Sequence, residues 1–94
     1  MKYIETFREG MHITDVYLCK SKQIALTKSG KEYGNLVLQD KTGTIDAKIW
    51  DLNSPGVGEF DTMDYVQVEA DVTLFQNNNQ LNVRRIRKVR EGEY

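Results

Sequence analysis

Residues Lys31–Trp50 read KEYGNLVLQDKTGTIDAKIW, two alternating runs joined across Lys41-Thr42-Gly43. Leu36 and Leu38 fall on one parity of the first run, with Tyr33, Asn35, Val37 and Gln39 on the other. In the second run Ile45, Ala47 and Ile49 alternate with Asp46, Lys48 and Trp50. Period two sends successive side chains to opposite faces of a strand, so each run gives one apolar face to a core. The opposite face carries Tyr, Asn, Lys and Trp, groups able to stack on or hydrogen-bond a flat polar ligand. Asp40-Lys41-Thr42-Gly43 reads as a type I turn with a glycine bulge, Asp40 accepting from backbone amides ahead of it.

Working outward, the first strand of this hairpin spans about Lys31–Gln39 and the second about Thr44–Leu52. Ile13 to about Leu26 precedes them as a long strand of mixed parity, Val16 and Leu18 against Tyr17 and Cys19. A bulge or strong coiling lets both sets reach a core. Thr27-Lys28-Ser29-Gly30 is a hairpin loop with Gly30 in the left-handed position. Thr6–Gly10 is a helical turn or a plain lead-in. Asn53–Gly58 holds the single proline and two glycines, which predicts a loop with room for at most one helical turn before Asp64. Beyond it Val66, Val68, Ala70, Val72 and Leu74 face inward, Asn77-Asn78-Asn79 forms a hairpin tip, and Leu81 and Val83 begin a fifth strand. Ile86 and Val89 slip out of that parity, which predicts a bulge or short helical turn near Arg84–Arg85. A three-strand meander, a long connection and a hairpin are the strand order of an all-β, five-stranded OB-fold barrel. Closure removes the edges an open sheet would expose. An SH3-like barrel, with shorter strands and differently placed loops, is the competing architecture.

At 94 residues the chain makes one domain, and its net charge is −1. No apolar run approaches the roughly 20 residues of a membrane span, and MKYIETFREG carries charges where a signal peptide is apolar. These features predict a cytoplasmic protein with no membrane partner. Cys19 and His12 are each the only one of their kind, so no disulfide, metal site or cofactor is expected and no nucleophile–base pair is visible. Cys19 reads as a small core residue and His12 as structural or solvated. Charge is unevenly distributed. Six lysines lie between Lys20 and Lys48, Asp51–Val83 has no cation, and Arg84–Arg90 is strongly basic. A fold setting the first basic segment beside the last would separate a cationic side from an anionic one.

Gly30, Lys31 and Tyr33; Leu36, Leu38 and Asp40; Thr42, Gly43 and Ile45; then Ala47, Lys48, Trp50 and Asp51 form a pattern. It resembles the tRNA-anticodon-binding type of OB-fold. More closely, it resembles the N-terminal OB module of YhaM-like 3′–5′ exoribonucleases, and Lys20–Lys22 fits as well. The likeness spans nearly the whole chain and is strongest in its middle third. It implies a longer protein with an HD phosphohydrolase domain after this one, the present chain being non-catalytic. The sequence departs from the pattern at Ala70-Asp71, where Gly-Lys is usual, and at Met63, where glycine is common. Its fourth strand is therefore more acidic.

In OB-folds nucleic acid usually crosses the second and third strands, between the first-to-second and fourth-to-fifth loops. That projection gives a platform of Tyr33, Asn35, Val37, Asp46, Lys48 and Trp50. Lys20, Lys22, Lys28 and Lys31 supply cations, Phe75 and Asn77–Asn79 form the far flank, and Arg84 extends the groove. The RRIRKVR run reads equally as a solvated strand edge leading to a linker. The expected function is to bind single-stranded RNA or DNA and present it to the catalytic domain of the same protein. The alternative is a protein-interaction or oligomerisation module using the acidic fourth strand with Tyr65, Phe75 and Tyr94, which allows a homo-oligomer.

Overall fold

The computed structural model describes residues 2–90. A 3-10 turn, Ile4–Thr6, precedes five strands: β1 His12–Leu26, β2 Glu32–Asp40, β3 Gly43–Ile49, β4 Tyr65–Phe75 and β5 Asn78–Lys88. They close in the order β1-β2-β3-β5-β4. Every contact between sequence neighbours in the barrel is antiparallel, whereas β3 and β5 run parallel over Asp46↔Gln80, Ala47↔Leu81 and Lys48↔Asn82. This is the OB-fold topology expected from the strand order.

The alternation in β2 and β3 is realised as read: Leu36, Leu38, Ile45, Ala47 and Ile49 are buried, and they meet Val66, Val68, Ala70, Val72, Leu81, Val83 and Ile86 inside. Truncating a fully buried leucine such as Leu36 to alanine costs about 2–5 kcal/mol, transfer and cavity together. Mixed parity in β1 resolves as a bulge between Cys19 and Ser21. Before it, Ile13, Tyr17 and Cys19 point inward; after it, Lys22 pairs with Leu36 and Ile24 with Gly34, so the even positions turn toward the barrel. Val16 and Leu18 stay half-exposed on the outer wall. In β5 the register shift opposite Glu69/Ala70 leaves Arg84 as the extra residue, which returns Ile86 to the core. Cys19 is fully buried, and that burial raises its thiol pKa.

Three sequence expectations are corrected. Leu74 is 48% exposed, because β4 projects past the barrel there and ends on the turn. The β4–β5 tip is Gln76-Asn77, both at positive φ (51° and 66°), so Asn78 and Asn79 already belong to β5. The helical turn near the N-terminus covers Ile4–Thr6 and not Thr6–Gly10. Between β3 and β4 the chain forms no helix. It is strapped instead to β5 by Gly58 N–H to Ile86 O (2.8 Å) and Ile86 N–H to Gly56 O (3.0 Å), and to β1 by Met63 N–H to Cys19 O (2.7 Å).

Two plugs seal the barrel. At the β2–β3 turn, Ile4 and Phe7 bury their side chains, Phe7 lying edge-on to Tyr17 with centroids 6.2 Å apart. The Tyr17 hydroxyl donates to Lys2 O (2.6 Å), and burial first, then Asp15 and Asp40, raise its pKa. At the other end Phe60 covers the space beside Lys22, Gly34, Ile49 and Leu52. Gly34 fits closely there, since a Cβ would approach the Ile49 side chain to 3.2 Å and oblige Ile49 and Leu52 to shift.

Asp40 joins the first plug to the barrel. Its carboxylate accepts from Ile4 N–H (2.8 Å), Thr42 N–H (2.7 Å) and the Thr42 hydroxyl (2.6 Å). Burial alone would raise the Asp40 pKa, but these bonds outweigh it and hold the carboxyl below its ordinary value. A folded pKa below the unfolded one stabilises above the unfolded value, and that stabilisation disappears as pH falls through the folded value. Asp40→Asn should therefore lower stability by about 1–3 kcal/mol at pH 7 in urea melts. The gap from wild type should shrink below about pH 4. A gap independent of pH would assign the loss to shape and not to the carboxylate.

Candidate nucleic-acid interface

The register of β2 against β3 sets Asn35 opposite Lys48 and Val37 opposite Asp46, with Gly34 opposite Ile49. One step beyond, Tyr33 and Trp50 meet with ring centroids 4.9 Å apart and planes tilted by 34°. Trp50 is 45% exposed. An indole with that much open surface, braced by a second ring, is a ready platform for another aromatic plane. Lys48 donates its ammonium to Asn35 Oδ1, which fixes the cation beside the rings. The β3–β5 pairing brings the β4–β5 turn over this surface. Tyr33, Asp46, Lys48, Trp50, Phe75 and Asn79 line one cleft of about 410 Å³, completed by Gln76, Asn78 and Gln80.

The structure thus brings Tyr33, Lys48, Trp50 and Phe75 into one cleft, with Asn35 held to Lys48 at its edge. Lys28 and Lys31 are exposed on the β1–β2 loop, which leads directly into the end of β2 where Tyr33 stands. Lys20 is exposed as the extra residue of the β1 bulge. Two expected members lie elsewhere. Lys22 is turned inward by that bulge, donates to Phe60 O (2.7 Å) and sits 4.4 Å from the Phe60 ring centroid. Arg84, on the neighbouring β5, is drawn toward β4, donating to Asp71 Oδ2 at 2.5 Å, and is not among the residues lining the cleft. Gln76 and Gln80 were not foreseen, because the parallel pairing that places Gln80 opposite Asp46 leaves no periodic signal in the sequence.

Charge is paired across β4 and β5 and is not separated into two sides. Arg84 faces Asp71, Arg85 lies 3.6 Å from Glu69, and Lys88 lies 3.6 Å from Asp64. The basic run is strand through Lys88, its cations exposed as a solvated strand face should be, and it pairs with β4 rather than extending the groove. His12 joins the cluster, bonded through Nδ1 to Asp71 (2.7 Å) and through Nε2 to Glu69 (3.0 Å). A second cleft, of about 400 Å³, includes Thr14, Pro55, Gly56, Glu69, Arg85 and Arg87, but no aromatic ring lines it. The aromatic cleft is the stronger candidate for a planar ligand. Among the described residues no trio of His, Cys, Asp or Glu is placed to hold a metal, and no helix is long and apolar enough to cross a membrane.

Barrel and cleft together define the class: an OB-fold domain with an aromatic and cationic surface on β2 and β3. The chain is homologous to one segment of the YhaM 3′–5′ exoribonucleases. It is 34% identical over 92 residues to the Bacillus pumilus YhaM exoribonuclease, covering 98% of this chain and 29% of that protein. It is 38% identical over 80 residues to the enzyme of a Geobacillus species, covering 84% of this chain and 25% of the relative. The chain therefore spans little more than a quarter of the curated relatives it matches. No protein-family model matches it. Among solved structures, the second OB-fold domain of replication protein A from Methanococcus maripaludis superposes with a TM-score of 0.70 at 18% identity, covering 99% of this chain and 98% of that one. A replication protein A heterotrimer bound to single-stranded DNA gives 0.65 at 22% identity, covering 94% and 64%.

The His12 cluster gives a direct check on the charge pairing. The Asp71 hydrogen bond first, against a smaller desolvation effect, then Glu69, raise the His12 pKa above its ordinary value. A raised folded pKa stabilises below the unfolded value, and that contribution is lost as pH rises through the folded one. NMR titration of His12 should show a midpoint above about 6.5, moving down in Asp71→Asn. A midpoint unchanged by that substitution would contradict the pairing.

Proposed function

We propose that this domain binds single-stranded RNA across β2 and β3 and presents it to the catalytic part of a longer 3′–5′ exoribonuclease carrying an HD phosphohydrolase domain. The observation that carries the reading is the braced Tyr33–Trp50 pair sharing a cleft with Lys48 and Phe75. One base stacks on Trp50, and Phe75 bounds the cleft from the β4–β5 turn. Lys48, Lys28 and Lys31 follow the phosphates. Stacking tolerates any base, which suits an enzyme that digests RNA of varied sequence. The naming of the relatives as exoribonucleases supports the same reading. Chemistry then resides outside this domain, whose contribution is local concentration and orientation of the strand.

Fluorescence anisotropy with a labelled mixed-sequence RNA should show micromolar or weaker binding that weakens with salt. Three lysine–phosphate contacts give a log–log slope of about −2. Trp50→Ala should lose about 1–2 kcal/mol, roughly 5- to 30-fold. No binding at low salt, or full affinity in Trp50→Ala, would reject the site.

A second reading, docking to another part of the longer protein or to a second copy, rests on a separate surface. Tyr3, Val16, Leu18, Gln39, Lys41 and Tyr65 surround a mostly apolar hollow of about 340 Å³ outside β1. Tyr94, also expected to serve such an interface, lies outside the described residues. Sedimentation showing a dimer that Leu18→Glu dissociates, with RNA binding intact, would establish this surface as an interface. A monomer at all concentrations would exclude self-assembly.

A further inference from the structure

The nucleic-acid cleft contains a carboxylate at its centre. Asp46 lies on β3 two residues before Lys48 and on the same face, flanked by Val37 of β2 and Gln80 of β5. It is exposed and lines the same cleft as Tyr33, Trp50 and Phe75. Lys48, the nearest cation in sequence on that face, gives its ammonium to Asn35 and not to Asp46. The fold does provide partners for other acids: Asp40, Glu69 and Asp71 each accept from neighbours. Asp46 has no such partner among the described residues.

The amides around it are less one-sided. Asn79 donates its Nδ2 to Phe7 O (3.1 Å), and Asn78 donates its Nδ2 to Gln76 O (3.3 Å). Each bond uses one of the two amide N–H groups, so each side chain keeps its oxygen as an acceptor and one N–H as a donor. Asn78, Asn79, Gln76 and Gln80 can thus adapt as donors or acceptors, and Asp46 is the one lining group that only accepts and carries negative charge. A phosphate is disfavoured at such a place by like charge, whereas an N–H donor is favoured.

We propose that Asp46 makes this cleft selective for bases bearing an exocyclic amino group, so that cytosine is preferred to uracil in otherwise matched strands. This rests on the reading of the cleft as a single-strand site. A base stacked on Trp50 presents its polar edge toward β3. The N4 amino group of cytosine, like N6 of adenine or N2 of guanine, donates to the carboxylate. Uracil offers one imino N–H between two carbonyl oxygens, and either oxygen facing Asp46 is repelled. Cytosine and uracil have the same ring size, so their comparison separates this contact from the stronger stacking of purines.

The test is anisotropy with labelled oligocytidine and oligouridine of equal length at one low salt concentration. Wild type and Asp46→Ala are compared, with Asp46→Asn as a second variant of nearly unchanged shape. The site is an outward position on a strand, where substitution is tolerated by the fold. The expected result is roughly five- to tenfold tighter binding of oligocytidine by wild type, falling to near equality in both variants, with oligouridine binding strengthened by loss of the negative charge. Equal wild-type affinities, or a cytidine preference that survives in Asp46→Ala, would overturn the assignment and leave the single-strand site standing. Failure of wild type to bind either strand would overturn the site itself and this inference with it.

Discussion

Closure of the barrel depends on its shortest ladder, the three parallel pairs between β3 and β5. Without them β3 would be an edge strand, its backbone groups open to water or to another chain. The same pairs fix where the β4–β5 turn lies, because β5 leaves that turn only two residues before Gln80 meets Asp46. Phe75, Gln76, Asn78 and Asn79 are thereby set beside β3, and a flat two-strand surface becomes a cleft. Bulges at both ends of the circuit make this possible. The shift at Cys19/Ser21 coils β1 so that it can pair with both β2 and β4, and the shift at Arg84 lets β5 bend while Ile86 returns inside. Curvature, closure and the cleft share one geometric cause.

Charge follows from that geometry. The net charge of −1 argues against a nucleic-acid binder only if the charges are spread uniformly. Antiparallel pairing of β4 with β5 lays Glu69 and Asp71 alongside Arg85 and Arg84, so both signs are largely neutralised on that wall. Lys48 is left in the aromatic cleft, and Lys28 and Lys31 stay exposed on the β1–β2 loop. The acidic residues of the fourth strand, a departure from the YhaM-like pattern, are compensated locally, and neither Glu69 nor Asp71 lines the cleft.

Much of the fold was legible because alternation with period two reports burial directly. The turn at Asp40–Gly43, the left-handed Gly30 (φ 88°) and the parity slip at Ile86 each have a local cause in the sequence and took the expected form. Tyr33, Lys48 and Trp50 were legible as a group, since hairpin register follows from turn length. Lys22 and Arg84 were misplaced for one shared reason. Both neighbour bulges, and the residue at which a bulge falls decides the face on which every later side chain emerges. The sequence signalled that a bulge was required, but not that Lys22 would turn inward to Phe60 or that Arg84 would meet Asp71. Gln80 and the depth of the cleft depend on a parallel, long-range pairing, and no local pattern encodes it.

The central claim is that the strand binds on the β2–β3 face and not on the basic wall of β5. Chemical-shift mapping of the 15N-labelled domain with a short mixed-sequence single-stranded RNA tests it most directly. The account predicts perturbations concentrated at Tyr33, Lys48, the Trp50 indole and Phe75–Asn79, with His12, Glu69, Arg84 and Arg85 unmoved. Perturbations centred on Arg84 and Arg85, with the Trp50 indole unchanged, would contradict it.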